Sequence, residues 1–206
     1  AYSPHADDIG LRALRHLAHD YLLAANPAHL DAAHSLFESA DNLTDRLAAL
    51  RWITHYEQLE SRESALADFY ARWQHEALVV NQWLTVQATR PDVDCVESVQ
   101  ALMTHPAFDW RNPNKLRALI GAFAGANPIA FHREDGAGYR LMGEVIERLQ
   151  ASNPQIAARM LAPMTRWRRY AVGQGAMRAE LERLAAIDPL PKDVFEVVTK
   201  ALEEPS

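Results

Sequence analysis

Residues Asn112–Tyr170 read NPNKLRALIGAFAGANPIAFHREDGAGYRLMGEVIERLQASNPQIAARMLAPMTRWRRY, and three Asn-Pro pairs (Asn112-Pro113, Asn127-Pro128, Asn153-Pro154) divide the run. An Asn side chain accepts from a free amide of the turn that follows, and a Pro at the first helical position has its φ preset and no donor to leave unpaired. Each pair is therefore a helix start. The apolar residues after them, Leu116, Leu119, Ile120 and Phe123, then Leu141, Val145, Ile146 and Leu149, then Ile156, Met160, Leu161 and Met164, recur at three-to-four spacing. Helices joined this tightly stack as antiparallel hairpins. The least regular spot is His132 to Gly138.

The same pattern extends outward. From Pro4 to Asn26, Ile9, Leu11, Leu14, Leu17, Tyr21 and Leu22 form one apolar stripe, and a second helix follows from Ala28 to about Ser39. Asp41 or Asn42 caps a third helix carrying Leu43, Leu47, Leu50 and Ile53; Ser61 opens a fourth with Leu66, Phe69 and Trp73. Ala77 to Thr89 and Val93 to Met103 come next, ended by Pro91 and His105-Pro106, with Phe108 and Trp110 packing the turn beyond. After Tyr170, a helix over Gly175–Ile187 holds Met177, Leu181 and Leu184, with Arg178, Glu180, Glu182 and Arg183 on the wet side; Val194–Leu202 closes the series. No strand is predicted. A hairpin recurring roughly every 35 to 45 residues predicts an all-α fold of about eleven helices, an armadillo- or HEAT-like superhelical solenoid, as one domain over residues 1–206.

With 206 residues, 49% of them apolar, the chain can bury a continuous core. Its net charge of −6 argues against bulk attraction to nucleic acid or to an anionic membrane. One cysteine, Cys95, rules out an internal disulfide, and no apolar run approaches the ~18 residues of a membrane-spanning helix. The opening AYSPHADDIG lacks the regions of a signal peptide and enters a helix at once, as a segment cut from a longer polypeptide would. A cytoplasmic protein with no membrane partner is expected.

Catalytic patterns are missing. His16, His19 and Asp20 fall within one turn, yet a zinc site needs further ligands and outer support. His75-Glu76 begins HEALV, where a zinc metalloprotease would need a second His at Val79. Cys95 has no adjacent His and reads as a small buried hydrophobe. Arg166-Trp167-Arg168-Arg169-Tyr170 could stack on nucleic acid, or Arg168 could meet carboxylates of a neighbouring helix with Trp167 and Tyr170 in the hairpin core; the negative net charge and dispersed arginines favour the second.

The runs NPNKLRALIGAFAGANPIAFHREDGAGYRL and NPQIAARMLAPMTRWRRY, with SADNLTDRLAALRWITH and FYARWQHEALVVNQWLTVQA upstream and DVFEVVTKALEE downstream, resemble the C-terminal helical domain of the bacterial aminopeptidase N family. These are zinc-dependent alanyl aminopeptidases of the gluzincin class. The resemblance implies a non-catalytic domain that closes over a catalytic domain of the same polypeptide and walls the active-site cavity. Zinc, its ligands and the general base would belong to that upstream domain, and this segment would hold no cofactor and hydrolyse nothing alone. It also implies that Gln155, Arg159 and Arg117 face the cavity on its primed side, toward peptide substrate, although Arg117 and Arg159 could instead bridge helices. A free-standing helical-repeat scaffold that binds a protein partner is the alternative.

Overall fold

A computed structural model describes residues 2–203, and every regular element among them is helical. Its internal contacts divide the chain into two units, residues 1–87 and residues 88–206.

The first unit carries α1 (Ala6–Ala25), a 3-10 turn over Pro27–His29, α2 (Leu30–Ser39), α3 (Leu43–Tyr56), α4 (Leu59–Trp73) and most of α5 (Ala77–Ala88). Asn42 caps α3, accepting from Asp45 N at 2.9 Å. The fourth helix begins at Leu59, before the predicted Ser61, because Gln58 is already extended and the chain turns there. α3 packs against both α2 and α4 and buries Leu50, Trp52 and Ile53 among Phe37, Leu66 and Phe69. Trp83 of α5 joins this core and donates its indole N–H to Leu66 O at 3.0 Å. α1 is the exception. Its predicted stripe exists as a stripe but points outward, and Leu23 is the buried residue of the helix.

The second unit holds α6 (Cys95–Leu102), then α7 (Pro113–Leu116), a π-turn (Arg117–Gly121) and α8 (Ala122–Ala126) in unbroken succession. It continues with α9 (Pro128–Phe131), α10 (Ala137–Gln150), α11 (Pro154–Met160), a 3-10 segment (Met164–Arg169), α12 (Gln174–Ala185) and α13 (Lys192–Leu202). All three Asn-Pro pairs start helices: Asn112, Asn127 and Asn153 accept from Asn114 N, Ala130 N and Ile156 N at 2.9, 3.1 and 3.2 Å. The helix opened by Asn127 lasts one turn. Gly136 then takes a left-handed φ of 73°, Asp135 accepts from Ala137 N at 3.0 Å, and α10 starts afresh. α11 likewise stops at Met160, since Pro163 cannot donate backward and its ring would crowd the carbonyl four residues before it.

α10 is the hub, packed against α6, α9, α11 and α12. Its inner face buries Leu141, Met142, Val145, Ile146 and Leu149. Phe123, Phe131 and Tyr139 form a chain of edge-to-face rings with centroids 5.9 and 5.4 Å apart. Glu180, predicted on the wet side of α12, is 8% exposed: Gly143 leaves a notch in α10 that its carboxylate fills, held there by Arg183 at 2.7 Å.

Asn127 does more than cap. It is 2% exposed, and its Nδ2 donates to Ala88 O at 3.0 Å and Arg90 O at 2.7 Å, satisfying two carbonyls where α5 ends. Asn127→Ala strands the Ala130 N–H and leaves the two carbonyls only Cys95 Sγ at 3.5 Å and Asp92 N at 2.9 Å as donors, so it should lower stability by roughly 2 kcal/mol in chemical denaturation, whereas half-exposed Asn112→Ala should lose about 1 kcal/mol.

Candidate functional site

The residues singled out for function, Arg117, Gln155 and Arg159, all lie in the second unit, and all three are exposed. Asn153 and Pro154 start α11 so that Gln155 stands in its first turn and Arg159 one turn later on the same face, with Ile156 and Ala157 buried between them. Arg117 opens the π-turn, where Ala122 N reaches back to Arg117 O and widens the helix. A Cβ added at Gly121 would lie 3.8 Å from Arg117 Cβ and 3.9 Å from Met160 Cε, so the last turn of α11 lies against the turn that carries Arg117.

The charge on this face is uncompensated. Arg117 donates to the neutral Asn114 Oδ1 at 2.8 Å, within its own helix. Among the described residues neither Arg117 nor Arg159 reaches a carboxylate or spans to another helix. Lys115, two residues before Arg117 and one of many basic residues in the sequence, is 9% exposed, and burial pulls its ammonium below the usual lysine range. Two other arginines of the unit are clamps: Arg133 sits between Glu97 and Asp135 at 2.9 Å from each, and Arg183 between Glu147 and Glu180 at 2.9 and 2.7 Å. Permanent cations left without carboxylates suit a peptide carboxylate or carbonyl group.

The remaining candidates have structural partners. Trp167 is buried and donates to Ala201 O at 2.9 Å; Arg168 caps the end of α13 through Ala201 O, Leu202 O and Glu203 O rather than through carboxylates. Tyr170 stacks at 4.1 Å on His132, whose Nδ1 meets Tyr139 Oη at 2.9 Å. Cys95 opens α6 instead of lying within it, and burial pushes its thiol up to about 11.

His16 turns to Asp45 and Asp20 to Arg51, so the His16-His19-Asp20 cluster does not converge. His75 and Glu76 are exposed in the turn before α5, while Val79 is buried. Among the described residues no group of three or more His, Cys, Asp or Glu side chains could hold a metal ion. No helix there is long and apolar enough to cross a membrane. A depression of about 540 Å3 between α2 and α4 has its basic side chains already partnered, His34 by Glu57 and Arg72 by Asp68.

Comparison with known proteins gives this arrangement its relatives. The chain is 44% identical over 203 residues to aminopeptidase N of Haemophilus influenzae and 40% identical to that of Escherichia coli, in each case across 98% of this chain and 23% of the relative. It thus spans about a quarter of the curated relatives' length. A crystal structure of Legionella pneumophila aminopeptidase A in complex with aspartic acid superposes with a TM-score of 0.88 at 33% identity, covering 96% of this chain and 23% of that one. A family model described as Domain of unknown function (DUF3458_C) ARM repeats matches residues 1–203. With nearly its whole length so matched, and every regular element among its described residues helical, the chain belongs to this family of ARM-repeat domains.

Proposed function

We propose that residues 1–206 form the C-terminal, non-catalytic domain of a cytoplasmic zinc aminopeptidase that releases N-terminal residues from peptides. The observation that carries this is the match to aminopeptidase N along 98% of the chain but only 23% of the relative. The partner is the upstream catalytic domain of the same polypeptide, which holds the zinc. This domain walls the active-site cavity, and Gln155, Arg159 and Arg117 line its primed side. Their exposure and lack of carboxylate partners support that role.

Two measurements test it. Purified residues 1–206 supplied with zinc should not hydrolyse an alanyl chromogenic substrate; turnover that survives removal of contaminating peptidase would sink the proposal. In the native polypeptide, Arg159→Ala should lower kcat/KM for tri- and tetrapeptides by roughly 10-fold, the worth of one charge-assisted hydrogen bond, and leave the single-residue chromogenic substrate unchanged. Equal losses on both substrates would remove the primed-side assignment.

A further inference from the structure

Helix α1 is built inside out. Its polar side chains face the unit it belongs to: Arg15 Nη2 and His16 Nε2 reach Asp45 Oδ1 at 2.6 and 2.8 Å, while Asp20 accepts from Arg51 at 2.8 Å and from Trp52 Nε1 at 2.5 Å. The His19 ring lies 4.4 Å from that of Trp52. The opposite face is apolar and open, with Leu11 65%, Leu14 63%, Leu17 52% and Tyr21 72% exposed. At about 100° per residue these four share one arc with Ala18, and with Asp7 in the first turn, centred away from Arg12, His16 and His19. Gly10 falls on the same arc, and a Cβ added there would meet nothing within 4 Å. A mid-helix glycine costs about 1 kcal/mol relative to alanine, and no neighbour within the chain accounts for this one.

We propose that this face of α1 is an internal surface of the repeat stack, covered in the native polypeptide by an apolar helical hairpin from the part of the chain outside residues 1–206. The inference rests on the reading that these residues belong to a longer polypeptide. In ARM-type arrays each repeat buries its apolar face on its neighbours, and a terminal repeat carries a polar outer face instead. α1 has the outer face of an internal helix. The curated relatives supply the occupant, because this chain fills 23% of their length. A membrane surface fits poorly. Interfacial helices carry a polar face of Lys and Arg free to meet anionic headgroups, whereas the two arginines of α1 are engaged within the chain, Arg12 donating to Ser3 O at 2.7 Å and Arg15 to Asp45.

The test places Leu14→Cys, Leu17→Cys and Tyr21→Cys singly in the native full-length polypeptide and follows maleimide labelling of each site by peptide mass spectrometry. Labelling should be slowed roughly 100-fold or more relative to the same site in the urea-unfolded chain, as for a position reached only through local opening. The protection should not change with protein concentration. Labelling close to the unfolded rate would overturn the proposal, and so would protection that disappears on dilution, which would assign the face to a second copy of the chain. If a large-to-small variant does not fold, Ala18→Cys on the same face gives the same readout. Aminopeptidase activity of each preparation is read separately. An active enzyme with an open face rejects only the docking proposal, and an inactive protein with a protected face rejects only the functional one.

Discussion

Gly138→Ala is expected to lower stability by about 3 kcal/mol, the upper end for overpacking a tight site, and the melting temperature by roughly 10 °C. A Cβ at this position would lie 2.3 Å from Phe131 O and 2.8 Å from Phe131 C. The obstacle is backbone. Phe131 is 1% exposed, its ring locked between Phe123 and Tyr139, so α9 and the start of α10 must part to admit one methyl group. Gly143→Ala should cost less, although its Cβ would fall 1.6 Å from Glu180 Oε1, because a carboxylate at the end of a side chain can swing aside. The swing would still break the Arg183–Glu180 bonds and leave Arg183 only Glu147. Gly125→Ala is the control: nothing lies within 4 Å of its added Cβ, and the substitution should gain about 0.5 kcal/mol. Thermal unfolding of the three variants in parallel checks the order. Gly138→Ala melting with the parent would mean that the α9–α10 junction yields freely.

Asp45→Ala should cost roughly 2 kcal/mol and loosen α1 from the first unit. One buried carboxylate, 7% exposed, is the anchor on α3 for Arg15 and His16 of α1, and Asn42 Nδ2 also donates to it at 3.0 Å. Arg15 is 55% exposed, so solvent screens its share and the estimate stays below that for a buried pair. Burial alone would raise the Asp45 pKa, but the bonds from Asn42, Arg15 and His16 outweigh it and hold the group at about 2. A folded-state pKa below the ordinary 3.8 means that this stabilisation is complete above 3.8 and is lost as the pH falls toward 2. Asp135, held at about 2 with Arg133 as the main cause, titrates in the same window, so the informative quantity is the difference from Asp45→Asn. The gap between the urea midpoints of the two proteins should be widest at pH 6 and should shrink markedly by pH 2.5. Limited proteolysis at pH 6 should cut α1 faster in Asp45→Ala. An unchanged digestion pattern would show that Leu23 and the Asp20–Arg51–Trp52 contacts suffice to hold the helix.

The Asn-Pro starts, the Asn42 cap and the apolar spacing of α10 were legible in the sequence because each depends on residues within one or two turns. The class of the fold followed from the same short-range regularities. The break after Phe131 was not legible in full, since the clamp beside it needs Arg133 to reach Glu97, 36 residues away. Glu180 looked wet for the same reason: Gly143, on another helix, makes its notch. For the candidate site, resemblance named Arg117, Gln155 and Arg159, and the structure added that both arginines lack carboxylates while their neighbour Lys115 is buried. Residue spacing determined that α1 carries an apolar stripe; only the tertiary structure decided that the stripe faces outward. Periodicity states which side chains share a face of a helix, and the direction of that face is set by partners distant in the chain, here Asp45, Arg51 and Trp52.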